Sequence, residues 1–337
     1  MEVENHKSLK DYNTFGIDAY AKKFVSITSE KELKTLLSSE HKTTIFILGG
    51  GSNMLLRNNI EAFVWHINIK GIEIISENDQ EVWVEAKAGE NWHEFVLYCL
   101  QNNYGGVENL SLIPGNVGTA PIQNIGAYGV ELKDVFTSCK AIEIDSQEEK
   151  EFNLKDCKFG YRDSIFKNEA KGKYIITSVV FKLTKNHHQL HTSYGAIQQQ
   201  LLTNGVENPT IRDVSEAVIE IRQSKLPNPK ELGNSGSFFK NPIITAEKFQ
   251  EFRLQFPKAP FYEVSPTEFK IPAGWLIEKA GFKGKRYGDA GVHKNQALVL
   301  VNYGNATGEE IWELALTIQR EVKKLFGIYI EPEVNVI

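Results

Sequence analysis

LSLIPGNVGTAPIQNIGAYGVEL, residues 110 to 132, is a glycine-rich stretch with no charge before Glu131. Its glycines Gly115, Gly118, Gly126 and Gly129 permit close backbone approach and positive φ, and successive free N–H groups in such turns can form an anion-binding concavity. A connector between strands is the ordinary interpretation of a glycine-rich stretch. The length, the neutrality and the interleaved isoleucines and valines favour a partly buried loop wrapped around a ligand.

The composition is that of an ordinary globular protein. A chain of 337 residues is long enough for about two to three domains, and 41% hydrophobic with 24% charged residues excludes disorder. The 38 Lys and Arg against 43 Asp and Glu give a net charge of −5, so we expect no nucleic-acid partner. No apolar run reaches the roughly 18 residues of a membrane helix, and the start of the chain is no signal peptide, so we expect a cytoplasmic protein without membrane contact.

The cysteines and histidines do not indicate a metal centre. Cys99, Cys139 and Cys157 share no CxxC spacing, which argues against a disulfide framework or a thiolate site. His187, His188 and His191 could suggest a metal. Their polar surroundings are more typical of a turn leading into a strand, so we expect no metal.

The first half alternates predicted strands and helices around a second glycine turn. Ser29 and Glu32 form a capping box that predicts a helix start after the strand at residues 23–27. The apolar strand at residues 43–48 leads into GGGSNM at residues 49–54. The G-x-G-x-x-G spacing and the following helix are missing, so an ordinary dinucleotide fold is not predicted.

The remaining elements follow from periodicity. Alternation predicts antiparallel strands at 63–69 and 82–88, and further strands are predicted at 138–144, 174–183, 297–301 and 328–334. Helices are predicted over 89–100, over 211–226, from Pro272 to Gly281, and from the Thr307–Glu310 cap to Gly327. A composition shift near Pro227 marks the clearest domain boundary.

Three side chains could carry chemistry, although each has an ordinary interpretation. Arg162 lies in a turn between apolar runs and could form a simple Arg–Asp turn pair. Ser237 could be a turn hydroxyl, because no G-x-S-x-G elbow is present. Glu333 could be an exposed glutamate near the end of the chain.

Taken together, these blocks resemble the UDP-N-acetylenolpyruvoylglucosamine reductases, the flavoenzymes that complete UDP-N-acetylmuramic acid in bacterial cell-wall synthesis. The resemblance covers nearly the whole chain. It rests, in this order, on NTFGI at 13–17, GGGSNML at 49–55, IPGNVG at 113–118, PIQNIGAYG at 121–129, YRDS at 161–164, GSFFKNP at 236–242, AGWLI at 273–277 and EPEV at 331–334.

The resemblance implies an α+β protein: a two-subdomain FAD-binding fold of the vanillyl-alcohol-oxidase type, followed by a C-terminal α+β substrate-binding domain. The implied boundaries are 1–68 and 69–226 for the FAD-binding subdomains, 227–327 for the substrate domain and 328–337 for a final strand. That strand would return Glu333 to the active site. A monomer is expected.

Non-covalent FAD and the co-substrate NADPH are likewise implied by the resemblance. The matching positions for FAD are Gly49, Gly50, Gly51, Ser52, Asn53, Ile113, Pro114, Gly115, Gly118, Thr119, Ile122, Gln123, Asn124 and Gly126. In the family a hydride passes from NADPH to the flavin and then to the enolpyruvyl double bond.

By the same resemblance Arg162, Ser237 and Glu333 are catalytic. Hydride addition to this enol ether builds negative charge on its carboxylate, which a guanidinium stabilises. Ser237 would donate the proton to the neighbouring carbon. Glu333 and Arg162 match the positions that polarise the carboxylate and stabilise the enol-like intermediate.

Substrate contacts carried over are Tyr194, Arg222, Lys225, Asn241, Tyr262, Lys270 and Gln296. Lysine and arginine suit a diphosphate. Tyr194 lies in an insertion of one branch of the family, whose tyrosine loop folds over the nucleotide. Two features depart from the pattern: Ser235 replaces a small apolar residue, and the chain ends at Ile337, shortly after Glu333.

Two other functions were weighed against this one. An oxygen-using sugar oxidase on the same FAD fold often tethers its flavin through histidine, and no histidine lies in the Gly49 or Ile113 loops. A catalytically silent UDP-sugar-binding module would keep Lys225 and Lys270. It would not need Arg162, Ser237 and Glu333 together, so their joint presence counts against it.

Overall fold

The computed structural model describes residues 1–39, 44–194 and 196–337. These residues form two units, each assembled from three stretches of chain. The first unit contains Met1–Lys7, Ala21–Gly50 and Glu61–Arg222, and the second contains Ser8–Tyr20, Gly51–Ile60 and Gln223–Ile337. Both units combine helices and strands, as expected for an α+β protein.

The α-helices of the described residues are α1 (Glu30–Ser39), α2 (Trp92–Gln101), α3 (Leu154–Cys157), α4 (Ile197–Thr203), α5 (Ile211–Lys225), α6 (Ala246–Gln255), α7 (Ala273–Lys279) and α8 (Gly308–Phe326). Short 3-10 helices lie at Lys10–Tyr12, Glu108–Leu110, Val117–Gln123, Leu132–Asp134 and Ile165–Lys167. None of the described helices combines the length with the apolarity needed to cross a bilayer.

Strands in the first half of the chain are β1 (Val3–Ser8), β2 (Tyr20–Ile27), β3 (Ile45–Leu48), β4 (Met54–Leu55), β5 (Ile60–Ile67), β6 (Ile72–Glu77), β7 (Glu81–Lys87), β8 (Gly126–Ala127), β9 (Val130–Glu131), β10 (Phe136–Glu143) and β11 (Glu149–Asn153). The later strands are β12 (Tyr174–Thr184), β13 (Ile243–Thr245), β14 (Tyr262–Ser265), β15 (Glu268–Lys270), β16 (Arg286–Tyr287), β17 (Ala290–Val292), β18 (Leu300–Asn302) and β19 (Asn335–Val336).

A five-stranded antiparallel sheet with the order β11-β10-β12-β7-β6 organises the first unit. The long apolar strand β12 occupies its centre, where both faces can be covered. Helix α2 packs its buried face against this sheet. The ring centroids of Phe95 and Phe181 lie 4.6 Å apart, and those of Trp92 and Phe181 lie 5.8 Å apart. This aromatic cluster fixes the helix that precedes the glycine-rich stretch.

A second sheet in the order β1-β2-β5-β3 corrects one prediction about strand direction. The strand predicted at residues 63–69 was expected to be antiparallel, but β5 runs parallel to β3, with Ile45 opposite Phe63. The connection between them, residues 49–59, is about as long as a parallel crossover requires. Alternation along a strand does not report its direction. Thr43, the start of the strand predicted at 43–48, lies outside the described residues.

Helix α8 dominates the second unit and begins and ends as predicted. Thr307 accepts a hydrogen bond from the Glu310 amide at 3.2 Å, and the Glu310 carboxylate accepts one from the Thr307 amide at 2.7 Å. Gly327 caps the C-terminus with a φ of 63°. A side chain at Gly308 would meet the Leu56 carbonyl oxygen at 1.8 Å, so glycine is required where this helix begins.

The last residues of the chain form less regular strand than predicted. The prediction was a strand over residues 328–334, but regular strand is limited to β19, which pairs in parallel with β4. Upstream, Phe239 and Pro332 form an isolated bridge. Pro332 has no amide hydrogen, which limits the ladder that this segment can build.

Candidate active site

Two glycine-rich segments of the first unit lie against each other. A Cβ atom added to Gly49 would stand 2.4 Å from Thr119 Cγ2, and one added to Gly50 would stand 2.8 Å from Asn116 Oδ1. Gly118 is equally tight, with the Ala88 Cβ at 2.4 Å. A side chain at Gly49 or Gly50 would push the two segments apart, and one at Gly118 would push its segment away from Ala88. The close approach leaves a surface made largely of backbone and small side chains.

This surface fits the FAD that the resemblance implies. Backbone N–H groups suit a diphosphate, and a neutral lining suits a flat flavin ring. The Val117 amide donates to the Glu90 carbonyl oxygen at 2.8 Å, and the Gly118 amide donates to the Ala88 carbonyl oxygen at 2.9 Å. The stretch at residues 110–132 is thus anchored to the residues that immediately precede α2. Of the predicted cofactor positions, Gly51, Ser52 and Asn53 belong to the second unit, and the others belong to the first.

Asn124, a predicted cofactor residue, uses its side chain inside the protein. Its Nδ2 donates to Glu131 Oε2 and to the Gly160 carbonyl oxygen, both at 3.0 Å, and its Oδ1 accepts from the Lys133 amide at 3.1 Å. The side chain is fully buried, and its own backbone is left-handed with a φ of 45°. Its backbone N–H is engaged as well, since it donates to the Pro121 carbonyl oxygen at 3.4 Å.

Arg162 is held in a tight turn rather than on a flexible surface segment. Its φ is 55°, a left-handed conformation that arginine rarely adopts. Its guanidinium donates to the Gly126 carbonyl oxygen at 2.7 Å and lies 5.7 Å from the centroid of the Tyr161 ring. The side chain of the neighbouring Asp163 accepts hydrogen bonds from Asn168 Nδ2 at 3.0 and 3.1 Å. The turn thus aims Arg162 at the glycine-rich stretch.

A second guanidinium, that of Arg222 near the end of α5, lies in the same region. Its Nε is buried without a hydrogen-bond partner. Burial lowers the pKa of Arg222, the Tyr128 hydroxyl opposes this, and the positive charge of Arg162 lowers the pKa further. Two cations with a buried orphan donor between apolar surfaces form a place where an anion is stabilised.

Tyr194 joins this group from the segment that precedes α4. A Cβ atom at Gly129 would stand only 3.2 Å from the Tyr194 Cβ, so the tyrosine lies directly on that glycine. The side chain itself is about half exposed. Tyr194, Arg162 and Arg222, all predicted from resemblance, are thus brought together within the first unit.

His93, on the first turn of α2, was missed by the sequence analysis. Its Nδ1 accepts a hydrogen bond from the amide of Leu112 at 3.0 Å, and Leu112 has a φ of 59°. Burial lowers the pKa of His93, the Glu94 carboxylate opposes this and the positive charge of Arg222 lowers the pKa further, in agreement with an Nδ1 that accepts a hydrogen bond. Nothing in the spacing could reveal this contact, because it joins a helix to a loop residue in a strained conformation.

In the second unit, Ser237 and Glu333 lie on two segments that pair with each other. The Glu333 amide donates to the Phe238 carbonyl oxygen at 2.7 Å, and the Lys240 amide donates to the Glu331 carbonyl oxygen at 2.9 Å. On its other side Ser237 bridges to Val299. The backbone pairing therefore fixes the relative position of the two predicted catalytic residues.

The two serines of this turn differ in environment. Ser235 is 7% exposed, and its hydroxyl donates to the Met54 carbonyl oxygen at 3.2 Å and lies 3.3 Å from Thr14 Oγ1. Ser237 is only partly buried. Gly236 between them has a φ of 69°, which turns the chain sharply. Ser235 is thus engaged in holding the turn.

Five predicted substrate residues belong to the second unit, and several of them lie near the ends of α5 and α7. Asn241 Oδ1 accepts from the first amide of α7, that of Ala273, at 2.9 Å. Gln296 Oε1 accepts from the Leu298 amide at 3.2 Å and would lie 3.1 Å from a Cβ at Gly274. Burial and the neighbouring Lys294 lower the pKa of His293, and the backbone of Lys225, the last residue of α5, opposes this. Lys270 lies directly opposite Tyr262 across β14 and β15, which places the two side chains on one face.

Comparison with protein-family models gives two matches. Residues 21–147 match the FAD binding domain, and residues 228–337 match the C-terminal domain of UDP-N-acetylenolpyruvoylglucosamine reductase. The first match contains both glycine-rich segments of the first unit. The second contains Ser237, Glu333 and the α7 contacts.

Full-length relatives agree with these matches. The chain is 63% identical over 337 residues to the UDP-N-acetylenolpyruvoylglucosamine reductase of Flavobacterium johnsoniae, covering 100% of both chains. It is 48% identical to the protein of that name from Pseudomonas syringae pv. tomato, with 99% of each covered. Among solved structures, the enzyme of that name from Thermus caldophilus has the same fold, with a TM-score of 0.68 at 24% identity over 100% of this chain and 99% of that chain.

Proposed function

The chain belongs to the UDP-N-acetylenolpyruvoylglucosamine reductase family, and we propose that it reduces UDP-N-acetylglucosamine-enolpyruvate to UDP-N-acetylmuramate with NADPH. The observation that carries this proposal is the 63% identity to a reductase of that name over the whole of both chains. The FAD-binding domain in residues 21–147 supports a flavoenzyme. The reaction would serve peptidoglycan synthesis, and through it cell-wall biogenesis, cell shape and division.

Bound FAD supplies a two-electron carrier between NADPH and the substrate. The chain's own residues must then hold the cofactor, bind the nucleotide and manage charge and protons. Gly49, Gly50 and Gly118 support the first task, since their contacts tolerate no side chain. The cofactor set predicted above would hold FAD chiefly through backbone groups.

Arg162 would stabilise the negative charge that develops on the substrate carboxylate. Its turn and its hydrogen bond to Gly126 pre-orient the guanidinium, so little reorganisation is needed as charge builds. Arginine suits this task better than lysine because its planar fork can bind a carboxylate through two hydrogen bonds.

Ser237 would deliver the proton to the substrate carbon next to the one that accepts the hydride. Glu333 would lie beside it and stabilise the enol-like intermediate. The hydrogen bond between the Glu333 amide and the Phe238 carbonyl oxygen supports this pairing of roles, because it ties the two segments together. Positioned proton transfer contributes about 10²- to 10⁴-fold to a rate.

Seven residues form the proposed set of contacts to the nucleotide part of the substrate. Two of them, Tyr194 and Arg222, belong to the first unit. The other five belong to the second unit: Lys225, Asn241, Tyr262, Lys270 and Gln296. The buried orphan Nε of Arg222 supports an anionic partner, because a bound phosphate or carboxylate would satisfy it. We place the chain in the family branch with the tyrosine loop on the strength of Tyr194.

We further propose a cytoplasmic monomer with FAD-binding subdomains at 1–68 and 69–226, a substrate domain at 227–327 and a returning C-terminal segment at 328–337. The three buried and unpaired thiols Cys99, Cys139 and Cys157 support a reducing compartment.

Three measurements test the proposal. Purified protein should carry the yellow colour of bound flavin and should turn over NADPH repeatedly only when UDP-N-acetylglucosamine-enolpyruvate is present. The product should contain the lactyl ether of UDP-N-acetylmuramate by mass spectrometry. A colourless protein that does not take up FAD would overturn the proposal. NADPH oxidation that consumes oxygen and ignores the enolpyruvyl compound would show an oxidase instead.

A further inference from the structure

We propose that Asn109 is a positioning residue for substrate binding: it joins the turn around Tyr128 to the segment that carries Tyr194. The inference rests on the proposed function, in which Tyr194 contacts the nucleotide. Asn109 itself lies outside every set of residues assigned above.

The geometry of one amide group carries the inference. Asn109 is 1% exposed and lies in the short helix Glu108–Leu110. Its Nδ2 donates to the Tyr128 carbonyl oxygen at 3.0 Å and to the His191 carbonyl oxygen at 2.8 Å. An amide carries two N–H donors. Both are used, one on each segment, so a single side chain ties the two backbones together.

Both segments converge on Tyr194. Tyr128 and Gly129 have φ values of 51° and 82°, so the turn between β8 and β9 is left-handed at two successive residues. The Tyr194 Cβ and Cγ would stand 3.2 and 3.3 Å from a Cβ at Gly129. Tyr194 therefore lies on the turn that Asn109 holds, only three residues after the His191 carbonyl that Asn109 also holds.

Asn109 is presented from a rigid base. Immediately after it in the chain, Trp92 Nε1 donates to the Leu110 carbonyl oxygen at 2.9 Å, and the hydroxyls of Ser111 and Ser215 lie 2.7 Å apart. These contacts anchor the short helix to α2 and α5. Displacing the amide would therefore require moving two packed helices, so its donors stay where the two carbonyls need them.

The choice of asparagine is costly for stability alone. The Asn109 Oδ1 is buried without a hydrogen-bond partner, and an unsatisfied buried acceptor lowers stability. An apolar side chain would avoid that cost but would leave both carbonyl groups without their donors. The residue is thus explained by the two bonds that it makes across segments.

A double-mutant cycle with Asn109→Ser and Tyr194→Ala tests the inference. Serine is small and offers one donor at most, so at least one of the two bonds is lost. We expect the KM for the UDP-sugar to rise about tenfold in Asn109→Ser, with flavin content unchanged and kcat altered much less. In the Tyr194→Ala background, where there is no tyrosine left to position, Asn109→Ser should raise KM by less than about twofold.

Asn102→Ser is the matched control, because the Asn102 Nδ2 bonds only to the Tyr98 carbonyl oxygen, at 2.9 Å, at the exposed end of α2. Its KM should equal that of the wild type. If Asn109→Ser raises KM by the same factor with and without Tyr194, or leaves KM unchanged, the inference is overturned.

Amide hydrogen exchange gives a readout that does not need turnover. We expect residues 126–131 and 188–194 to exchange faster in Asn109→Ser, with α8 unchanged. Unchanged exchange in both segments would overturn the inference. Wild-type protein that fails to reduce the enolpyruvyl substrate would instead overturn the proposed function, and the exchange result would still decide whether Asn109 joins the two segments.

Discussion

Two neighbouring serines show how much chemistry depends on a shift of two residues. Ser235 is buried, and its hydroxyl donates to the Met54 carbonyl oxygen. Ser237 bridges to Val299 on one side, and the segment that contains Glu333 pairs on the other side. By residue type alone the two are equivalent hydroxyls flanking a glycine. Their surroundings differ: Ser235 holds the turn, whereas Ser237 is the partly buried residue for which we propose proton transfer.

Ser237→Ala should separate the two halves of the reaction. NADPH should still bleach the flavin at close to the wild-type rate, because no proton from the serine is needed there. Reoxidation by the enolpyruvyl substrate should slow by about 10²- to 10⁴-fold. Stopped-flow absorbance of the flavin measures both steps.

Ser235→Ala is the matched control for this experiment. It removes one hydrogen bond, so we expect a loss of about 1 kcal/mol in the free energy of unfolding and nearly normal reoxidation. Slow bleaching in Ser237→Ala would mean that Ser237 serves the cofactor half-reaction or folding, and slow reoxidation in Ser235→Ala alone would mean that the proton donor has been assigned to the wrong hydroxyl.

At the scale of elements, helix ends were predictable because their signals are local. The Thr307–Glu310 box and Gly327 lie within one turn of the positions they cap, so four or five letters of sequence contain the whole interaction. At Ser29 only one of the two hydrogen bonds of the predicted capping box is formed. The Glu32 amide does donate to Ser29 Oγ at 3.2 Å, but the Glu32 carboxylate accepts from Thr28 instead, at 2.8 Å from its amide.

Thr307→Ala should lower the free energy of unfolding by about 1 kcal/mol, because it removes the N-cap of the longest described helix. Urea denaturation followed by circular dichroism measures the change. Thr317→Ala, in the middle of the same helix, is the control. Its exposed hydroxyl donates to the Glu313 carbonyl oxygen at 2.9 Å and accepts from the Arg320 guanidinium at 3.0 Å, but it caps no helix end, so alanine should change stability by a few tenths of a kcal/mol. Equal losses in the two variants would contradict the capping argument.

A buried carboxylate makes the five-stranded sheet sensitive to acid. Glu85 on β7 is 3% exposed, accepts from Ser178 Oγ at 2.6 Å and lies 3.1 Å from the Lys140 ammonium. Burial raises the pKa of Glu85, but the hydrogen bonds from Ser178 and Lys140 outweigh it and bring the pKa to about 2, from 4.5. Because the folded pKa is depressed, the stabilisation is present above pH 4.5 and is lost as the pH falls towards 2.

Glu85→Gln should therefore cost about 1 to 3 kcal/mol at pH 7 and should flatten the decline in stability between pH 4.5 and 2. Urea unfolding at a series of pH values tests this. Glu148→Gln, at an exposed position, should keep the wild-type profile. An unchanged profile in Glu85→Gln would place the acid sensitivity elsewhere.

At the scale of the whole molecule, FAD should stabilise the fold. Its proposed cradle is built from close backbone contacts that exist only in the folded first unit. Protein stripped of flavin should gain about 2.7 kcal/mol when FAD is present at 100 times its Kd. Thermal melting at increasing FAD concentration measures this, with riboflavin, which lacks the diphosphate and adenosine, as the weaker control. A Tm that does not depend on FAD would argue against a cofactor cradle.

The glycine-rich stretch could be recognised in sequence because its neutrality and its glycines stand out, and ordered motifs along the chain indicated the family. Those motifs could not reveal which side chains form their hydrogen bonds within the protein. Asn124 was expected at the cofactor, yet the structure uses its whole amide to tie together Glu131, Gly160 and Lys133. His93 and Asn109 were not noticed, because each acts on backbone atoms of a distant loop.

By itself, the sequence determined five of the eight described α-helices, the cap of α8 and the five longest described strands, since periodicity and capping are local properties. The kind of chemistry followed from the order of family motifs along the chain. The tertiary structure alone decided that β5 runs parallel to β3, that Arg162 and Arg222 lie in one region, and that Ser237 and Glu333 lie on paired segments. These facts depend on contacts between residues far apart in the chain. Such contacts are set by packing and loop closure over the whole fold, which no local pattern records.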